Sequence, residues 1–367
     1  MVKRIVHLTT AHTRGDVRIF LKECASLASV QHDVHLVVAD SLGPAVVRGI
    51  TIHDAGAVQG RFQRMLFLPW RMLWLAVRLR AAVYHFHEPE LLLIALPLKM
   101  SGAKVIYDSH EDVPRAILSR EWIAVGQRRL VSGIFEIFEN FVARRIAAVV
   151  GATDHIAKRF SAVNPKSVAI NNYPLENEIS MEVLRGSMGR NVCYIGGISR
   201  ARGIFEMVNA LELVDARLLL AGPFETPETE RAVRSLPGWA KVDYRGSVSR
   251  SEVQKIMAVS QAGLLFFHPE PNHVDSQPNK MFEYMSAGLP VLASDFPLWR
   301  LIFEKSGAGK QVDPLDIGAI AGLIEEVLSN RAAAAEMGER GRQAVLSEYQ
   351  WRHEERKLLK LYTELLG

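Results

Sequence analysis

Lys280 and Glu283 are the two residues whose types and spacing point most directly to chemistry. They lie in the segment SQPNKMFEYMSAGLPVLAS, where Ser276 is a candidate helix cap and Gly288 fits the position after the helix. A spacing of three places both side chains on one helical face. A first-turn lysine opposes the helix dipole unless an anion lies beside it, and a glutamate can accept hydrogen bonds from ribose hydroxyls. The alternative is an exposed helix face with an ordinary ion pair.

A second group of candidate side chains stands where apolar strands are predicted to end. HFHEPELL contains His85, His87 and Glu88, and IYDSHEDVP contains Asp108 and His110. The two histidines of the first segment share a strand face. Together with the second segment they could hold the metal of a hydrolase. That alternative leaves the candidate residues of the second half unexplained, and we expect no metal site.

The elements that must position these residues are short strands alternating with helices. Apolar runs such as VHLVVA, RLLLA and GLLFF are typical of parallel strands covered on both faces. Their alternation with helical segments predicts an α/β fold of two Rossmann-like, doubly wound domains that face each other across a cleft. The predicted strands are residues 4–8, 34–39, 50–53, 83–86, 104–107 and 148–151, followed by 191–196, 217–221, 241–245, 263–267, 290–293 and 310–312.

The length of 367 residues also favours two domains, because one core rarely serves so long a chain. Residues 171–188 are polar and have no clear period, so we predict a linker there. This places an N-terminal domain at residues 1–172 and a C-terminal domain at residues 173–348. Residues 349–367 are predicted to form a helix that could pack back on the first domain.

Composition excludes several classes of function. The chain is 49% hydrophobic and 23% charged, which is typical of a globular protein, and its net charge of +4 is too small to indicate nucleic-acid binding. Cys24 and Cys193 lie in apolar segments and are predicted to be buried thiols. The N-terminal apolar run is too short for a signal peptide, and no stretch reaches the roughly 20 apolar residues of a membrane span. We therefore expect a cytoplasmic protein.

The segment KMFEYMSAGLPVLASD resembles the donor-site helix of the family-4 glycosyltransferases of the GT-B fold. In that family a glutamate in this context binds the nucleotide ribose, and Glu283 occupies its position. Another family glutamate stands eight positions earlier, where this chain has Asp275. The resemblance also assigns Lys280 and Asn279 to donor binding, together with backbone amides of residues 273–280.

Two further segments of the second half resemble donor-binding motifs of the same family. YIGGISRARGIFEMVNAL resembles the phosphate motif, in which Arg202 aligns with the usual lysine and Gly197 stands near the usual arginine. Arg200 could substitute for that arginine, since a guanidinium group can grip two diphosphate oxygens. YRGSVSRSEVQKIM resembles the loop that holds the base through backbone groups near Val248. A glycine-rich turn alone is a weak signal, because any Rossmann-like domain needs one.

The first half resembles the family in its opening loop, HLTTAHTRGD. Gly15 would let the backbone approach the donor phosphates. Asp16 could face the acceptor or could cap the next helix. His110 matches the family histidine that projects into the cleft near the transferred sugar. The acceptor-side candidates are Asp16, Arg18, His85, His87 and Glu88.

Residues 61–82 combine five arginines with Phe62, Phe67, Trp70 and Trp74. A basic, aromatic helix can lie on an anionic bilayer and meet a lipid-linked acceptor. The alternative is a packing helix whose arginines extend to solvent. The membrane-surface interpretation predicts peripheral contact with the inner face of the cell membrane.

The resemblance implies a retaining glycosyltransferase that moves a sugar from a UDP- or GDP-linked donor to a glycan or lipid-linked acceptor. The sequence has no pair of aspartates separated by one residue, the pair that holds manganese in the other common transferase fold. We therefore assign Arg202, Lys280 and His110 as catalytic and expect neither metal nor cofactor. The alternatives are a nucleotide-sugar epimerase, a non-catalytic nucleotide-sugar-binding protein and an NAD-dependent oxidoreductase.

Overall fold

A computed structural model describes residues 2–120, 122–175 and 189–367. The chain divides into two compact units. The first unit comprises Met1–Asn172 together with Trp351–Gly367, and the second comprises Tyr173–Gln350. Most of the predicted linker, residues 171–188, lies outside the described residues.

The first unit contains an eight-stranded sheet of order β3-β4-β2-β1-β5-β6-β7-β8. Its neighbouring strands are parallel except for β3, which pairs antiparallel with β4. The strand order reverses between β1 and β5, and such a reversal opens a crevice at the carboxyl ends of the strands. The strands are β1 (Arg4–Leu8), β2 (Asp33–Val38), β3 (Ala45–Val47), β4 (Ile50–Asp54), β5 (Val83–Phe86), β6 (Lys104–Ser109), β7 (Ala148–Gly151) and β8 (Ser167–Ala169).

Helices connect these strands, and the first of them, Val17–Cys24, is a wide, π-type helix that continues directly into the next, Ala25–Ser29. They are α1 (Val17–Cys24), α2 (Ala25–Ser29), α3 (Gly60–Leu66), α4 (Leu68–Leu79), α5 (Leu92–Met100), α6 (Val113–Leu118), α7 (Val125–Ala143) and α8 (Asp154–Ser161). None of the helices in the described part of the chain is both long enough and apolar enough to span a bilayer.

The second unit contains a six-stranded parallel sheet of order β11-β10-β9-β12-β13-β14. This is the Rossmann order, with its reversal between β9 and β12. Its strands are β9 (Asn191–Ile195), β10 (Arg217–Ala221), β11 (Val242–Tyr244), β12 (Ala262–Leu265), β13 (Val291–Ser294) and β14 (Gly309–Val312). Its helices are α9 (Ile204–Ala210), α10 (Pro227–Arg234), α11 (Arg250–Ala258), α12 (Asn279–Ser286), α13 (Pro297–Ser306), α14 (Ile317–Ser329) and α15 (Arg331–Ser347).

The prediction of an α/β fold with two parallel-sheet domains is confirmed. Each predicted strand is present, with ends shifted by two residues or fewer. The sequence analysis missed β3 and β8, which are short edge strands with half-buried or exposed side chains and therefore lack an apolar signal.

The prediction that Ser276 caps a helix is wrong. Helix α12 starts after Pro278, and the Ser276 hydroxyl donates to the carbonyl of His273 at 2.8 Å. Proline fixes φ and suits the start of a helix, so it sets the boundary here. Gly288 has a φ of +69° just beyond α12, as the position after a helix requires.

Each unit has its own apolar core. In the first it lies around Val6, Tyr84 and Tyr107, and in the second around Tyr194 and Trp299. The sheets of both units are therefore stabilised by burial on both faces. Both cysteines are buried free thiols, as predicted.

The C-terminal helix, α16 (Trp351–Leu366), belongs to the first unit. The indole Nε1 of Trp351 donates to the Ser26 hydroxyl at 3.0 Å, and a carboxylate oxygen of Glu354 accepts from the backbone N–H of Asn171 at 2.9 Å. Leu358 is fully buried on the same helix. The helix is thus part of the first unit's interior.

Candidate functional site

In the second unit, candidate residues gather at the carboxyl ends of β9 and β12, where the strand order reverses. Strand β9 ends at Ile195 and is followed by Gly196 and Gly197, while the chain after β12 leads to helix α12. Ligands of open α/β sheets bind at such a position.

Lys280 crosses directly over Gly196. This glycine has a φ of +129°, and a Cβ added to it would lie 2.2 Å from Cε of Lys280 and 2.3 Å from its Nζ. The ammonium group lies 5.5 Å from the ring centre of Tyr194. Only glycine leaves room for the lysine here, so Gly196 is a site residue that the sequence analysis missed. Its signal was the Gly-Gly pair, of which only Gly197 was chosen.

Arg202 reaches the same place from the following turn. Its Nη1 donates to the carbonyl of Gly197 at 3.1 Å, and the Tyr194 hydroxyl donates to that carbonyl at 2.8 Å. Gly203 closes the turn with a φ of +74°, and a Cβ there would lie 1.8 Å from the carbonyl oxygen of Phe266. The backbone therefore directs Arg202 back towards the end of β9.

The electrostatics of this place favour an anion. Burial, together with the nearby charge of Arg202, lowers the pKa of Lys280 to about 8, against the opposing effect of Glu283. Helix α12 begins beside Lys280 without a side-chain cap, and the first N–H groups of a helix carry partial positive charge. Two cations and a helix terminus converge, and a phosphate group would satisfy all three.

Glu283 lies one turn further along α12, where one of its oxygens is 3.0 Å from Nη1 of Arg250. Arg250 begins α11, two residues after Val248. The predicted ribose ligand is thus adjacent to the predicted base loop. A small pocket beside them is lined by Pro174, Arg250, Val253, Gln254, Met257, Glu283, Ser286 and Ala287.

Three other predicted donor residues are exposed. The guanidinium group of Arg200 stacks over the ring of Phe205 at 3.9 Å, so its contact is with Phe205 rather than with Gly197. Asn279 is the first residue of α12, and Asp275 lies in the turn before it. The Lys280 and Arg202 pair therefore provides the positive charge at the end of β9.

In the first unit, the loop after β1 meets the end of β5. Glu88 is buried and accepts hydrogen bonds from the Thr9 hydroxyl and from the N–H of Thr10, the latter at 2.9 Å. Burial raises the pKa of Glu88, although the hydrogen bond from Thr9 opposes the shift. Glu88 thus holds the loop that leads to Gly15, a role the sequence analysis did not predict.

Asp16 caps the next helix, which confirms that interpretation of it. Its carboxylate accepts from the N–H of Ile19 at 2.9 Å and contacts Nδ1 of His12 at 2.9 Å. Burial opposes the shift, but these two hydrogen bonds lower the pKa of Asp16 to about 2. Gly15 beside it is exposed, and a Cβ there would meet nothing within 4 Å. His12 is a partly exposed site residue that the sequence analysis missed.

Asp108 organises the histidines at the carboxyl end of β6. It accepts two hydrogen bonds from Arg18, at 2.8 and 2.9 Å, and contacts His87 Nδ1 at 3.1 Å and His110 Nε2 at 3.0 Å. Although burial opposes it, the charges of Arg18 and His110 hold the pKa of Asp108 well below its usual range. The side chain of His110 is 21% exposed, and its ring lies 5.2 Å from that of His12. His110 is therefore the accessible end of a buried network.

The positions of Arg18 and His85 do not support their prediction as acceptor-side residues. Arg18 is buried against Asp108, and His85 is fully buried between the rings of His7 and His87. Strand ends in the middle of a sheet lie under other elements, which the sequence pattern does not reveal. His87 is also buried, and its Nδ1 lies 3.2 Å from Nε2 of the partly exposed His110.

The same burial argues against the metal hydrolase. A hydrolytic metal keeps an open position for water and substrate, whereas His85 and His87 are enclosed. Both oxygens of Asp108 already accept hydrogen bonds from Arg18. The chemistry that this arrangement offers is proton handling at His110, with Asp108 orienting the ring.

Family models match both halves of the chain. Residues 15–171 match a glycosyl transferase 4-like domain, and residues 200–360 match a glycosyl transferase-like domain. The chain is therefore a glycosyltransferase with the GT-B fold, of the family-4 type, as the sequence analysis predicted. No curated protein has significant sequence similarity to it.

Solved structures of similar fold are distant in sequence. Sucrose-phosphate synthase from Thermosynechococcus elongatus has a TM-score of 0.78 at 17% identity, covering 99% of each chain. HepE from Anabaena, in complex with UDP and glucose, has a TM-score of 0.72 at 14% identity, covering 99% of this chain and all of that one. A glycosyltransferase from Rickettsia africae has a TM-score of 0.73 at 14% identity, covering all of this chain and 99% of that one.

Proposed function

We propose that this glycosyltransferase moves a sugar, with retention of anomeric configuration, from a UDP- or GDP-linked donor to a glycan or lipid-linked acceptor. The observation that carries the proposal is the convergence of Lys280 and Arg202 on the end of β9, beside the start of α12. This arrangement suits a diphosphate. The complexes of HepE with UDP and with UDP-glucose support the same donor class.

In this proposal the two cations act on the leaving group. The bond from the anomeric carbon to the diphosphate oxygen breaks, and negative charge grows on that oxygen. Lys280 and Arg202 stabilise this charge, which is worth most when the charge develops in the transition state. The acceptor oxygen bonds to the anomeric carbon on the same face, and its proton passes to the departing diphosphate. The protein's own cations replace a metal ion, so transfer needs neither metal nor cofactor.

The family resemblance supplies the remaining donor contacts of this proposal. Glu283 accepts hydrogen bonds from the ribose, and the backbone near Val248 holds the base. The resemblance assigns Asn279 and Asp275 to the sugar of the donor, and it assigns the backbone at Gly15 to the donor phosphates. The same resemblance assigns His110, which Asp108 orients, to the transferred sugar.

The direct test compares Lys280→Ala and Arg202→Ala with the wild type in a panel of UDP- and GDP-sugars, measuring donor affinity and nucleotide release. We expect each variant to lower turnover by roughly 10²–10³-fold, as loss of a transition-state donor does. Lys255→Ala is the control, since its side chain is 72% exposed and pairs with Glu252 on α11. Near-wild-type turnover in both test variants would contradict the proposal. An isomerised donor would indicate an epimerase, and binding without turnover a sensor.

Metal independence has its own test. A brief treatment with EDTA is expected to leave turnover unchanged, and added Mg²⁺ or Mn²⁺ to have no effect. A loss that Mn²⁺ alone restores would contradict this part of the proposal. The treatment is kept brief so that EDTA removes exchangeable ions near the donor site and does not remove any ion enclosed in the protein interior.

We also propose that residues 61–82 contact an anionic membrane, at the inner face of the cell membrane where a lipid-linked acceptor would lie. Phe62 on α3, Trp70 and Trp74 on α4, and Phe67 between the two helices are 51% to 68% exposed. Exposed aromatic groups beside arginines favour a bilayer interface. The guanidinium group of Arg61 lies 5.6 Å from the ring of Trp122, which extends the same surface.

Co-sedimentation with anionic and neutral vesicles tests this contact. The double variant Trp70→Ser and Trp74→Ser should lose most of the binding to anionic vesicles. Leu301→Ser is the control, because Leu301 is 64% exposed on α13 in the second unit. Wild-type protein that never co-sediments with anionic vesicles would refute membrane contact.

A further inference from the structure

Four ligand-type side chains meet in the interior of the first unit. The pairing of β1 with β5 places His7 beside His85, and His87 follows on the same side two residues later. Glu23 comes from α1, and all four side chains are 0% exposed. One nitrogen or oxygen atom from each lies within 4.8 Å of the others.

The carboxylate of Glu23 faces the three histidine rings across a gap. Its Oε2 lies 3.9 Å from Nδ1 of His7, 3.9 Å from Nδ1 of His85 and 4.0 Å from Nε2 of His87. These separations are too long for hydrogen bonds. In a tetrahedral site with bonds of about 2.0–2.2 Å, ligand atoms are about 3.3–3.6 Å apart, so metal binding would shorten each of these three distances by roughly half an ångström.

The outer contacts of His87 and His7 match those of metal-binding histidines, whereas Nε2 of His85 has no hydrogen-bond partner in the described part of the chain. If His87 binds through Nε2, its Nδ1 can donate to Asp108 at 3.1 Å, and Asp108 is itself held by Arg18. If His7 binds through Nδ1, its Nε2 can donate to the hydroxyl of Tyr362 at 3.4 Å. Carboxylates and hydroxyls in this position fix the tautomer and orientation of histidine ligands.

Hydrogen bonds alone leave part of the cluster unsatisfied. Nδ1 of His7 can donate to Nε2 of His87 at 3.0 Å, and Tyr362 can donate to His85 at 2.9 Å. Oε1 of Glu23 pairs with Nε of Arg18 at 3.1 Å, but its Oε2 has no hydrogen-bond partner among the described residues while the carboxyl group is ionised, and leaving a buried acceptor unpaired is costly. A proton on Glu23 is the metal-free alternative, since burial and Asp108 raise the pKa of this carboxyl group.

We propose that His7, His85, His87 and Glu23 bind one divalent ion of the zinc class as a structural site. Neutral imidazoles with one carboxylate suit such an ion, and an enclosed set of four protein ligands is typical of a structural rather than a catalytic site. The ion joins β1, β5 and α1 beneath the network that orients His110. It takes no part in the proposed sugar transfer.

The first measurement is the metal content of the full chain purified without a histidine tag from zinc-supplemented cells. We expect elemental analysis to give about one ion per chain, and native mass spectrometry to show the same added mass, lost on denaturation. After refolding with Co²⁺, a visible absorption spectrum of tetrahedral type should appear. Protein without bound metal, whose melting temperature Zn²⁺ does not raise, would overturn the proposal.

Variants then locate the ion. Glu23→Gln removes a charged ligand at nearly constant volume and should weaken Zn²⁺ binding by at least about tenfold and change the Co²⁺ spectrum. His53→Gln is the control, because His53 belongs to a separate histidine pair in the same unit, 2.8 Å from His35. Because the proposed UDP site lies in the second unit, the folding of the first unit in each variant is verified by a thermal unfolding transition of wild-type amplitude, followed by circular dichroism. Should His53→Gln lose the ion while Glu23→Gln keeps it, the assignment is wrong; if Glu23→Gln does not fold, His85→Gln takes its place.

Discussion

At the scale of single residues, the end of β9 depends on a glycine that makes room for a cation. Lys280 occupies the space where a side chain on Gly196 would be, and Arg202 covers Gly197 in the same way. The site therefore uses the absence of two side chains to bring two charges close to the backbone amides.

Gly196→Ala should abolish donor binding and destabilise the second unit. The added Cβ would lie 2.2 Å from Lys280 at a φ of +129°, which strains any residue but glycine. We expect a loss of about 1–3 kcal/mol in the free energy of unfolding, measured by denaturant titration, and no calorimetric signal with UDP. Gly15→Ala is the control for stability, because its Cβ would meet nothing within 4 Å and its φ is not positive. Equal stability of the two variants would contradict the account.

Donor affinity should fall as the pH rises through the pKa of Lys280. That pKa is about 8, below the ordinary 10.5, so the folded protein loses this proton before the unfolded chain does. Between these two pKa values the unfolded chain binds more protons at this lysine than the folded protein does. The contribution of Lys280 to the free energy of unfolding therefore rises with pH over this range, whereas the affinity of the site for an anion falls. We expect the dissociation constant of UDP to increase about tenfold from pH 7 to pH 9 by calorimetry.

Lys280→Arg separates this effect from other titrations, since a guanidinium group stays charged throughout that range. Its affinity for UDP should change little with pH. A wild-type affinity that is flat from pH 7 to pH 9 would show that Lys280 does not meet the diphosphate as an ammonium group.

At the scale of elements, both sheets present their candidate residues where the strand order reverses. Glu88 holds the loop after β1, and Gly203 shapes the turn after β9. Helix α16 adds a contribution from the distant end of the chain to the first unit, through Trp351 and Glu354. The first unit therefore depends on residues that are far apart in sequence.

Leu358→Ala should destabilise the first unit by about 2–5 kcal/mol, because Leu358 is fully buried and the change leaves a cavity. Thermal unfolding followed by circular dichroism measures this loss. Lys360→Ala on the same helix is the control, with its side chain 78% exposed and an expected change within about 0.5 kcal/mol. If both variants melt alike, α16 does not contribute to the first unit as described.

At the scale of the whole molecule, two separate cores indicate two folding units. We expect residues 173–350 expressed alone to unfold cooperatively and to bind UDP, because the second core and the Lys280 and Arg202 pair are both included. Residues 1–172 alone should not fold stably without α16. Joining residues 351–367 to residue 172 should restore folding, since Glu354 contacts Asn171. Aggregation of residues 173–350 would contradict this division.

The sequence by itself determined the α/β class and the positions of the described strands other than β3 and β8, and it predicted the residues of the donor motif. Apolar strands and helical spacing are local patterns, and Lys280, Glu283 and Arg202 stand in segments that can be read directly. The sequence also indicated Asp16 as a helix cap, because a capping side chain bonds to a backbone N–H within the first turn of its own helix.

Only the tertiary structure decided which side chains are buried and which of them contact one another. In the folded protein Arg18 and His85 are buried, and Arg200 stacks on Phe205. His7, Glu23 and Tyr362 come from opposite ends of the chain and lie in one cluster. Burial and long-range contact depend on how strands pair and helices cover them. Those pairings are set by the packing of the whole unit, so no local pattern in the sequence can specify them.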